Sequence, residues 1–510
     1  MSVCLSKGIK RSFWAEAKNY FIIFVHRMIL ISIIMKSFMP SIKLFSNKRY
    51  LQLASLVAVS SASVLSVSCS MNHSNESSSA IDKPNFIVIY CDDMGYGDLS
   101  CFGNPTIRTP YLDQMAMEGQ KWTSFYVSAS VSSPSRSGLL TGRLGVRTGM
   151  YGNRKRVLSP GSPKGLPQDE ITLPELLREG GYSTGIVGKW HVGHHEESMP
   201  LANGFDYFYG SPFSNDMSKK EQTKVGNSKY PYEYIIYDQD KIVEKEPDQT
   251  QLTKRFTEKA VSYIKAHKDK PFFLYLAHPM PHWPVYASET FQGRSARGVY
   301  GDCIEEVDWS VGQIIKTLKE NGLDKNTLVV FTSDNGPWLP YKQQAGTAGP
   351  LRDGKASHCE GGFRVPCIIW GDMVKRGQVT NMGSTLDLLP TFCEMAKVDL
   401  PTNRVYDGKS LLKVFKDPSA NVRDVFYFYR GSDLYAIRKG EYKLHFIDKP
   451  AYGSTPKVIL EEPVLYDLGT DPEEKYNVAD KYPEVVVELK AMAKKHISSF
   501  TIAESIFDQK

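Results

Sequence analysis

The chain has 510 residues, of which 41% are hydrophobic and 12% aromatic, enough to bury a large core and to build more than one domain. The composition is globular, with no repeat and no long low-complexity tract, which argues against a fibrous or disordered chain. The formal charge of +6 is concentrated at the N-terminus: residues 1–50 hold nine Lys/Arg against one Glu, and taking that +8 from the total leaves −2 for the remainder, so nothing points to nucleic-acid binding.

In chain order, Lys36, Lys43, Lys48 and Arg49 form a basic region ahead of the apolar run 51–67 and Cys69, the pattern of an export signal, with Met35 or Met39 as candidate starts. The earlier apolar stretch 21–35 is interrupted by His26 and Arg27 and is short for a membrane span. Leu65-Ser66-Val67-Ser68-Cys69 resembles a lipobox with its leucine one place early. Two outcomes stay open there: Cys69 as the lipidated first residue of a membrane-anchored lipoprotein, or ordinary signal cleavage. In either case residues 1–69 are a leader and 70–83 a Ser/Asn-rich linker. The expected location is outside the cytoplasm, in the periplasm or on the outer membrane or cell surface. Six cysteines lie beyond Cys69 with no C-x-x-C pair and no zinc spacing, and they read as small buried hydrophobes.

Several apolar runs rich in β-branched and aromatic residues end abruptly in polar groups, as buried parallel strands do when their carboxyl ends open onto a site. Residues 86–90 lead to Asp92 and Asp93, 184–187 to Lys189 and His191, 272–277 to His278 and His282, and 328–332 to Asp334 and Asn335. Helical patterns at 111–118, 173–179, 253–266 and 304–321 alternate with them, which predicts an α/β sheet covered on both faces. From about Arg423 the pattern changes. Residues 434–438, the turn Lys439-Gly440-Glu441 and 442–446 read as a hairpin, 458–468 as a further strand and 483–500 as a helix. The expected organisation is a catalytic domain over 84–420 and a smaller antiparallel sheet with one helix over 421–510.

Asp92-Asp93 and Asp334-Asn335 offer three carboxylates and an amide oxygen, a hard donor set that suits Ca²⁺ or Mg²⁺ rather than zinc. One acidic pair at a strand end commonly just caps the next helix; two pairs at the ends of different strands point to a cation. Between them lies Ser130-Val131-Ser132-Ser133-Pro134-Ser135-Arg136, continuing to Gly142. Pro134 suits the first turn of a helix over 135–140, which places Ser132 just ahead of the helix N-terminus, where free N–H groups favour an anion such as sulfate. The competing reading of the serines alone is a loop that caps a helix.

The stretch from Ser130 to Gly142 resembles the sulfatase signature in its serine form, and Gly181-Tyr182-Ser183-Thr184-Gly185-Ile186-Val187-Gly188-Lys189-Trp190-His191-Val192-Gly193 resembles the second signature of that family. Further matching blocks, in the same order, are Asp92 to Asp98, Gly204-Phe205-Asp206, Pro284 to Ser288, and Leu351-Arg352-Asp353-Gly354-Lys355 with Glu360 to Pro366. The resemblance runs from about Pro84 to Val478 and is strongest to the arylsulfatase A and N-acetylgalactosamine-6-sulfatase branch. It implies an alkaline-phosphatase-like fold, a large mixed sheet sandwiched by helices with a smaller C-terminal α+β part. It also implies one Ca²⁺, held by Asp92, Asp93, Asp334, Asn335 and residue 132, and oxidation of Ser132 to formylglycine, whose hydrated aldehyde attacks the sulfur of a sulfate ester. Serine replaces the cysteine of the lysosomal members, so the maturing partner implied is a bacterial radical-type enzyme acting before export.

By the same resemblance Arg136 and Lys189 hold the nucleophile and neutralise the ester, His191 is the base, and His282 or Lys355 protonates the leaving alcohol. Lys189, His282, Lys355 and, at a minor position, Ser214 contact the sulfate. His278 and Arg364 read as structural; His194, His195, Trp283 and His358 are candidate pocket residues. The substrate implied is a sulfated galactose or N-acetylgalactosamine of a host glycosaminoglycan or mucin. Two alternatives remain open at this stage: a phosphate or phosphonate ester hydrolase of the same superfamily, and a glycan-binding protein in which Ser132 is never oxidised.

Overall fold

The computed structural model describes residues 83–509; the leader, Cys69 and most of the linker lie outside the described residues. β1 (Asn85–Cys91) is followed by α1 (Pro110–Glu118), β2 (Gln120–Tyr126), α2 (Ser132–Thr141), α3 (Leu173–Glu179), β3 (Ser183–Lys189), β4 (Tyr207–Ser211) and the hairpin β5 (Ile235–Asp238) and β6 (Lys241–Lys245). Then come α4 (Leu252–Ala266), β7 (Phe272–Ala277), α5 (Val299–Glu320), β8 (Thr327–Ser333), β9 (Arg364–Trp370), the short β10 (Gly377–Val379) and β11 (Gly383–Ser384), and α6 (Leu388–Ala396). These strands make one eleven-stranded sheet. β8, β1, β7, β3 and β4 lie side by side and parallel. β9 runs antiparallel between β8 and β2, and β5–β6 closes the other edge antiparallel.

β1 has no polar alternation because both its faces are covered. Phe86, Val88 and Tyr90 pack with Leu139 and Leu140 of α2, Leu173 and Leu176 of α3 and Phe392 of α6. Ile87 and Ile89, pointing the other way, pack with Phe256 and Ala260 of α4 and Ile304 and Val307 of α5. Burying each such side chain stabilises the fold by about 1.5–3 kcal/mol. Register then positions the site. Val88 lies opposite Val330 on one side and Tyr275 on the other, and Gly188 opposite Ala277, so four strands end at the same edge of the sheet. Ligands bind at that edge in open α/β sheets.

The second sheet contains β12 (Val425–Arg430), β13 (Asp433–Lys439), β14 (Tyr442–Asp448) and β15 (Val458–Asp467) in that order, all antiparallel, and is followed by α7 (Pro483–Ile497). One face packs on α7 through Ile437, Leu444, Leu489 and Ala493. The other brings Phe426 and Phe428 into the core of the large sheet, with Phe428 and Phe363 rings 5.1 Å apart and Phe426 and Tyr126 rings 4.9 Å apart. The tail beyond α7 returns to the segment after α2, where Ala503 and Ile506 donate to the carbonyls of Val146 and Gly149, both at 2.9 Å, and Phe507 is fully buried.

Three boundaries differ from the sequence expectation by more than two residues. α5 starts at Val299 rather than 304, because Asp302 accepts the N–H groups of Gly293, Arg294 and Ser295 and so fixes the turn that launches the helix. α7 stops at Ile497, where Ser499 turns back onto the His496 carbonyl. Ser132 lies inside the first turn of α2, with extended Val131 as its N-cap, rather than just ahead of the helix. The bond from Ser135 N–H to the Val131 carbonyl, 3.2 Å, already belongs to the helix.

Candidate active site

At the shared strand edge, Asp92 and Asp93 follow β1, Lys189 ends β3, His191 is two residues past it, His282 lies in the loop after β7, and Asp334 and Asn335 follow β8. The N-terminal turn of α2 brings Ser132 and Arg136 into their midst. The Ser132 hydroxyl donates to Asp92 Oδ1 at 3.1 Å and lies 3.5 Å from Asn335 Oδ1. Arg136 donates to Asp334 Oδ2 through Nε at 3.1 Å and Nη2 at 2.9 Å, a close pairing with no solvent on either side chain. Lys189 Nζ bonds Asp92 Oδ2 and reaches Ser214 Oγ at 3.2 Å. Lys355 Nζ bonds Asp93 Oδ2 at 2.9 Å and stands 4.4 Å over the Trp338 ring. His282 Nε2 is 3.5 Å from Asp93 Oδ2 and 3.4 Å from Ser214 Oγ. The geometry thus gathers Asp92, Asp93, Ser132, Arg136, Lys189, Ser214, His282, Asp334, Asn335 and Lys355 into one cluster.

Two of these residues hold unusual backbone. Asp93 has φ of 62° and His191 φ of 65°, a region costly for residues with a Cβ and concentrated at functional sites. In His191 the Nε2 atom contacts the Leu158 carbonyl at 3.0 Å, while buried Nδ1 has no partner. Burial, with the Lys189 charge alongside, holds this imidazole well below its usual range. His191 is therefore neutral at pH 7, with one ring nitrogen anchored and the other free to accept a proton. His278 points elsewhere: it bonds Ser310 of α5 at 3.0 Å, and burial lowers it to about 3.

The donor set fits a hard divalent cation. Three carboxylates, Asp92, Asp93 and Asp334, crowd around Ser132 with Asn335, and all are buried. Burial, together with the neighbouring Asp92 and Asp334 charges, pushes Asp93 up to about 7 against the pull of Lys355. That mutual repulsion is what an oxygen-preferring ion relieves. His282 also comes within ligand distance of Asp92 and Asp93, but an imidazole suits softer metals than this oxygen set does. Three cations, Arg136, Lys189 and Lys355, already balance the three carboxylates, so a divalent ion leaves the site positive toward an anionic ester.

The cluster opens into a cavity of about 670 Å³ lined by Ser132, His191, Ser214, His282 and Lys355 at its floor. Its upper wall was not legible in the sequence: Arg154, Lys155, Arg156, Lys229, Trp338 and Tyr341 all line it. The one local signal was the run Arg154-Lys155-Arg156, which by itself reads as a solvated charge cluster. His194, His195 and His358 do not line this cavity. The first two rings lean on each other at 4.2 Å, and His358 is buried under the second sheet beside Tyr435. Trp283 stacks behind Tyr341 at 4.4 Å. Arg364 is a clamp, bonding the Thr123 carbonyl across to β2.

Comparison with known proteins extends this geometry to most of the chain. Residues 84–398 match the sulfatase family and 421–510 the C-terminal region of aryl-sulfatase. The chain is 38% identical to arylsulfatase A of Bos taurus over 440 residues, covering 80% of this chain and 86% of that protein. It is 37% identical to N-acetylgalactosamine-6-sulfatase of Mus musculus over 451 residues, covering 82% and 86%. The solved structure of the PsFucS1 sulfatase from Pseudoalteromonas sp. superposes with a TM-score of 0.75 at 28% identity, over 84% of this chain and 92% of that one. The fold is alkaline-phosphatase-like, a large mixed sheet between helices with a four-stranded antiparallel sheet behind it. Similarity at this level, running through both sheets and the strand-end cluster they support, assigns the chain to the sulfatase family: it is a sulfuric ester hydrolase.

Proposed function

We propose that the protein removes sulfate from galactose or N-acetylgalactosamine units of host glycans, using a formylglycine made from Ser132 and one Ca²⁺. The observation that carries this reading is the meeting of Asp92 and Asn335, from the ends of two strands, at the Ser132 hydroxyl in the first turn of α2. The sugar follows from the similarity to N-acetylgalactosamine-6-sulfatase. Asp92, Asp93, Asp334 and Asn335 would hold the ion with residue 132. When present, the ion and the oxidised side chain supply positive charge and a hydrated aldehyde whose oxygen attacks sulfur.

The chain's own residues account for the rest. Arg136 and Lys189 fix the position of residue 132 and its carboxylate neighbours and offset negative charge on the ester, which is electrostatic stabilisation by preorganised groups. Lys189, Ser214, His282 and Lys355 face the sulfate from one side. Lys355, charged beside Asp93, delivers a proton to the departing sugar oxygen. That role is not open to His282, whose ring burial keeps neutral and whose Nδ1 donates to the Trp283 carbonyl. His191 Nδ1 takes a proton from residue 132 as sulfate leaves. Maturation by a radical-type enzyme before export, followed by delivery to the periplasm or cell surface, completes the proposal.

The test is the mass of the tryptic peptide 122–136 from protein made in its native host. A peptide two hydrogens lighter than encoded, together with turnover of a sulfated N-acetylgalactosamine, is the expected result. An unmodified Ser132 in a host that carries the maturing enzyme would overturn the catalytic scheme.

A further inference from the structure

Four cations at the mouth of the active-site cavity have no part in the chemistry above: Arg154, Lys155, Arg156 and Lys229. All four are exposed, and among the described residues none of them is in an ion pair. Asp216, buried, is the sole carboxylate residue of the cavity lining. The chain beyond residue 50 carries a formal −2, so this arc is a local concentration of charge rather than a sample of a basic surface.

Its backbone is also built. Asp508, near the end of the tail, accepts hydrogen bonds from the N–H groups of Asn153 at 2.7 Å, Arg154 at 3.1 Å and Lys155 at 3.2 Å, and its carbonyl accepts one from Arg154 Nη2 at 3.2 Å. Ser505 and Ala503 tie the same tail to Tyr151, at 2.7 and 2.8 Å. A loop carrying three adjacent like charges is thereby held against its own repulsion. In the same lining Trp338 and Tyr341 meet edge to face at 4.6 Å, with Trp283 stacked behind, giving an apolar wall of the kind that packs on a sugar ring. The volume is in the range of sites that enclose a whole ligand rather than a single ester group.

We propose that Arg154, Lys155, Arg156 and Lys229 form a second anion subsite, which binds a negative charge on the sugar adjoining the one that carries the scissile sulfate. The preferred substrate is then an oligosaccharide with at least two anionic groups, and Asp508 is a positioning residue for the subsite. This inference rests on the sulfate-ester reading above. The second anion has two chemical sources, the carboxylate of a uronate or another sulfate ester.

The experiment measures kcat and KM of the matured holoenzyme on 6-sulfated N-acetylgalactosamine joined to a uronate, to a sulfated galactose or to an uncharged galactose. The wild type is expected to favour a charged neighbour by about tenfold or more in kcat/KM at low salt, with the preference shrinking as salt is added. Whichever charged arm is favoured identifies the source. The variant Arg154→Ala/Lys155→Ala/Arg156→Ala is expected to bring the ratio close to one. Asp508→Ala, which keeps the cations and frees their backbone, is expected to lower the ratio partway, with the loss in KM and not in kcat. A ratio that is the same in wild type and triple variant, or a wild type that prefers the uncharged neighbour, overturns the subsite. Should none of the three be hydrolysed, the sulfate-ester reading has failed on these sugars. Calorimetric binding of the same disaccharides to protein with unmodified Ser132 then decides the subsite alone: tighter binding of the charged pair that is lost in the triple variant supports it, and equal affinities overturn it.

Discussion

His191 concentrates the residue-scale argument. Its backbone stands at positive φ, one ring nitrogen is tied to Leu158 and the other is bare, and burial beside Lys189 keeps the ring neutral. A histidine lowered in this way stays a proton acceptor as the solution becomes more acidic, so the acid limb of kcat against pH is expected below 6.5, the unperturbed histidine value. A limb at or above 6.5 would show that another group is the base. His191→Ala is expected to reduce kcat by about 10²- to 10⁴-fold, measured on an aryl sulfate. At this scale the sequence was most readable where chemistry needs particular atoms. The motif order located Ser132, Lys189, His191, His282 and Lys355, but neither the tautomer-setting contact to Leu158 nor the cationic arc at 154–156 could be read, because both depend on loops that meet only in the folded chain.

The element scale turns on how closely β3 can approach its neighbours. Gly188 has φ of 115°, and a Cβ there would stand 1.9 Å from the Ala277 carbonyl oxygen on β7, while Gly210 on β4 faces it from the other side in register. The glycine one place before Lys189 is thus what allows the strand end, with the lysine, to dock between two backbones. Gly188→Ala is expected to cost at least about 2 kcal/mol from overpacking and the forbidden backbone region, read as a lower urea midpoint, with a larger fractional loss of kcat as Lys189 shifts. A substitution that leaves both unchanged would mean the strands part without penalty. β1, β7 and β8 were legible as strands because burial on both faces leaves an apolar run, and β3 from the short run 184–187 that ends in Lys189. β2 and β9 were not, since polar Gln120 and Lys121 open β2 for reasons of tertiary contact, Lys121 bonding the Cys101 carbonyl and Gln120 the Val414 carbonyl, and Pro366 sits inside β9. The hairpin at Gly440 was legible because its turn residues are local.

On the scale of the whole molecule, the second sheet is joined to the first by buried charge as well as by aromatic rings. Lys443 of β14 pairs with Glu360, at 3.1 Å, and with Glu474, at 2.8 Å, all three fully screened from solvent, and His445 bonds Glu474 at 2.9 Å. Burial alone would raise Glu474, yet Lys443 and His445 hold its carboxyl far below the usual range. A depressed carboxylate contributes stability that is present above the unfolded value near 4.5 and is lost as pH falls toward the folded one. Lys443→Met would leave two carboxylates buried with one cation fewer. It is expected to destabilise the protein by about 3–5 kcal/mol in urea unfolding, and a change below about 1 kcal/mol would show the network to be dispensable. The sequence showed a change of pattern near residue 420 but not this network, whose partners are far apart in the chain. The tail that closes over residues 146–155 adds a dimension of time. Ser132 is 1% exposed in the finished fold, and Phe426, Phe428 and Phe507 are among the side chains that complete the surrounding core. The 375 residues that follow Ser132 as far as Phe507 take about 20–75 s to synthesise at ordinary rates. On the formylglycine reading proposed above, an enzyme that oxidised this serine would work against that clock, on a chain whose core Phe507 has not yet closed.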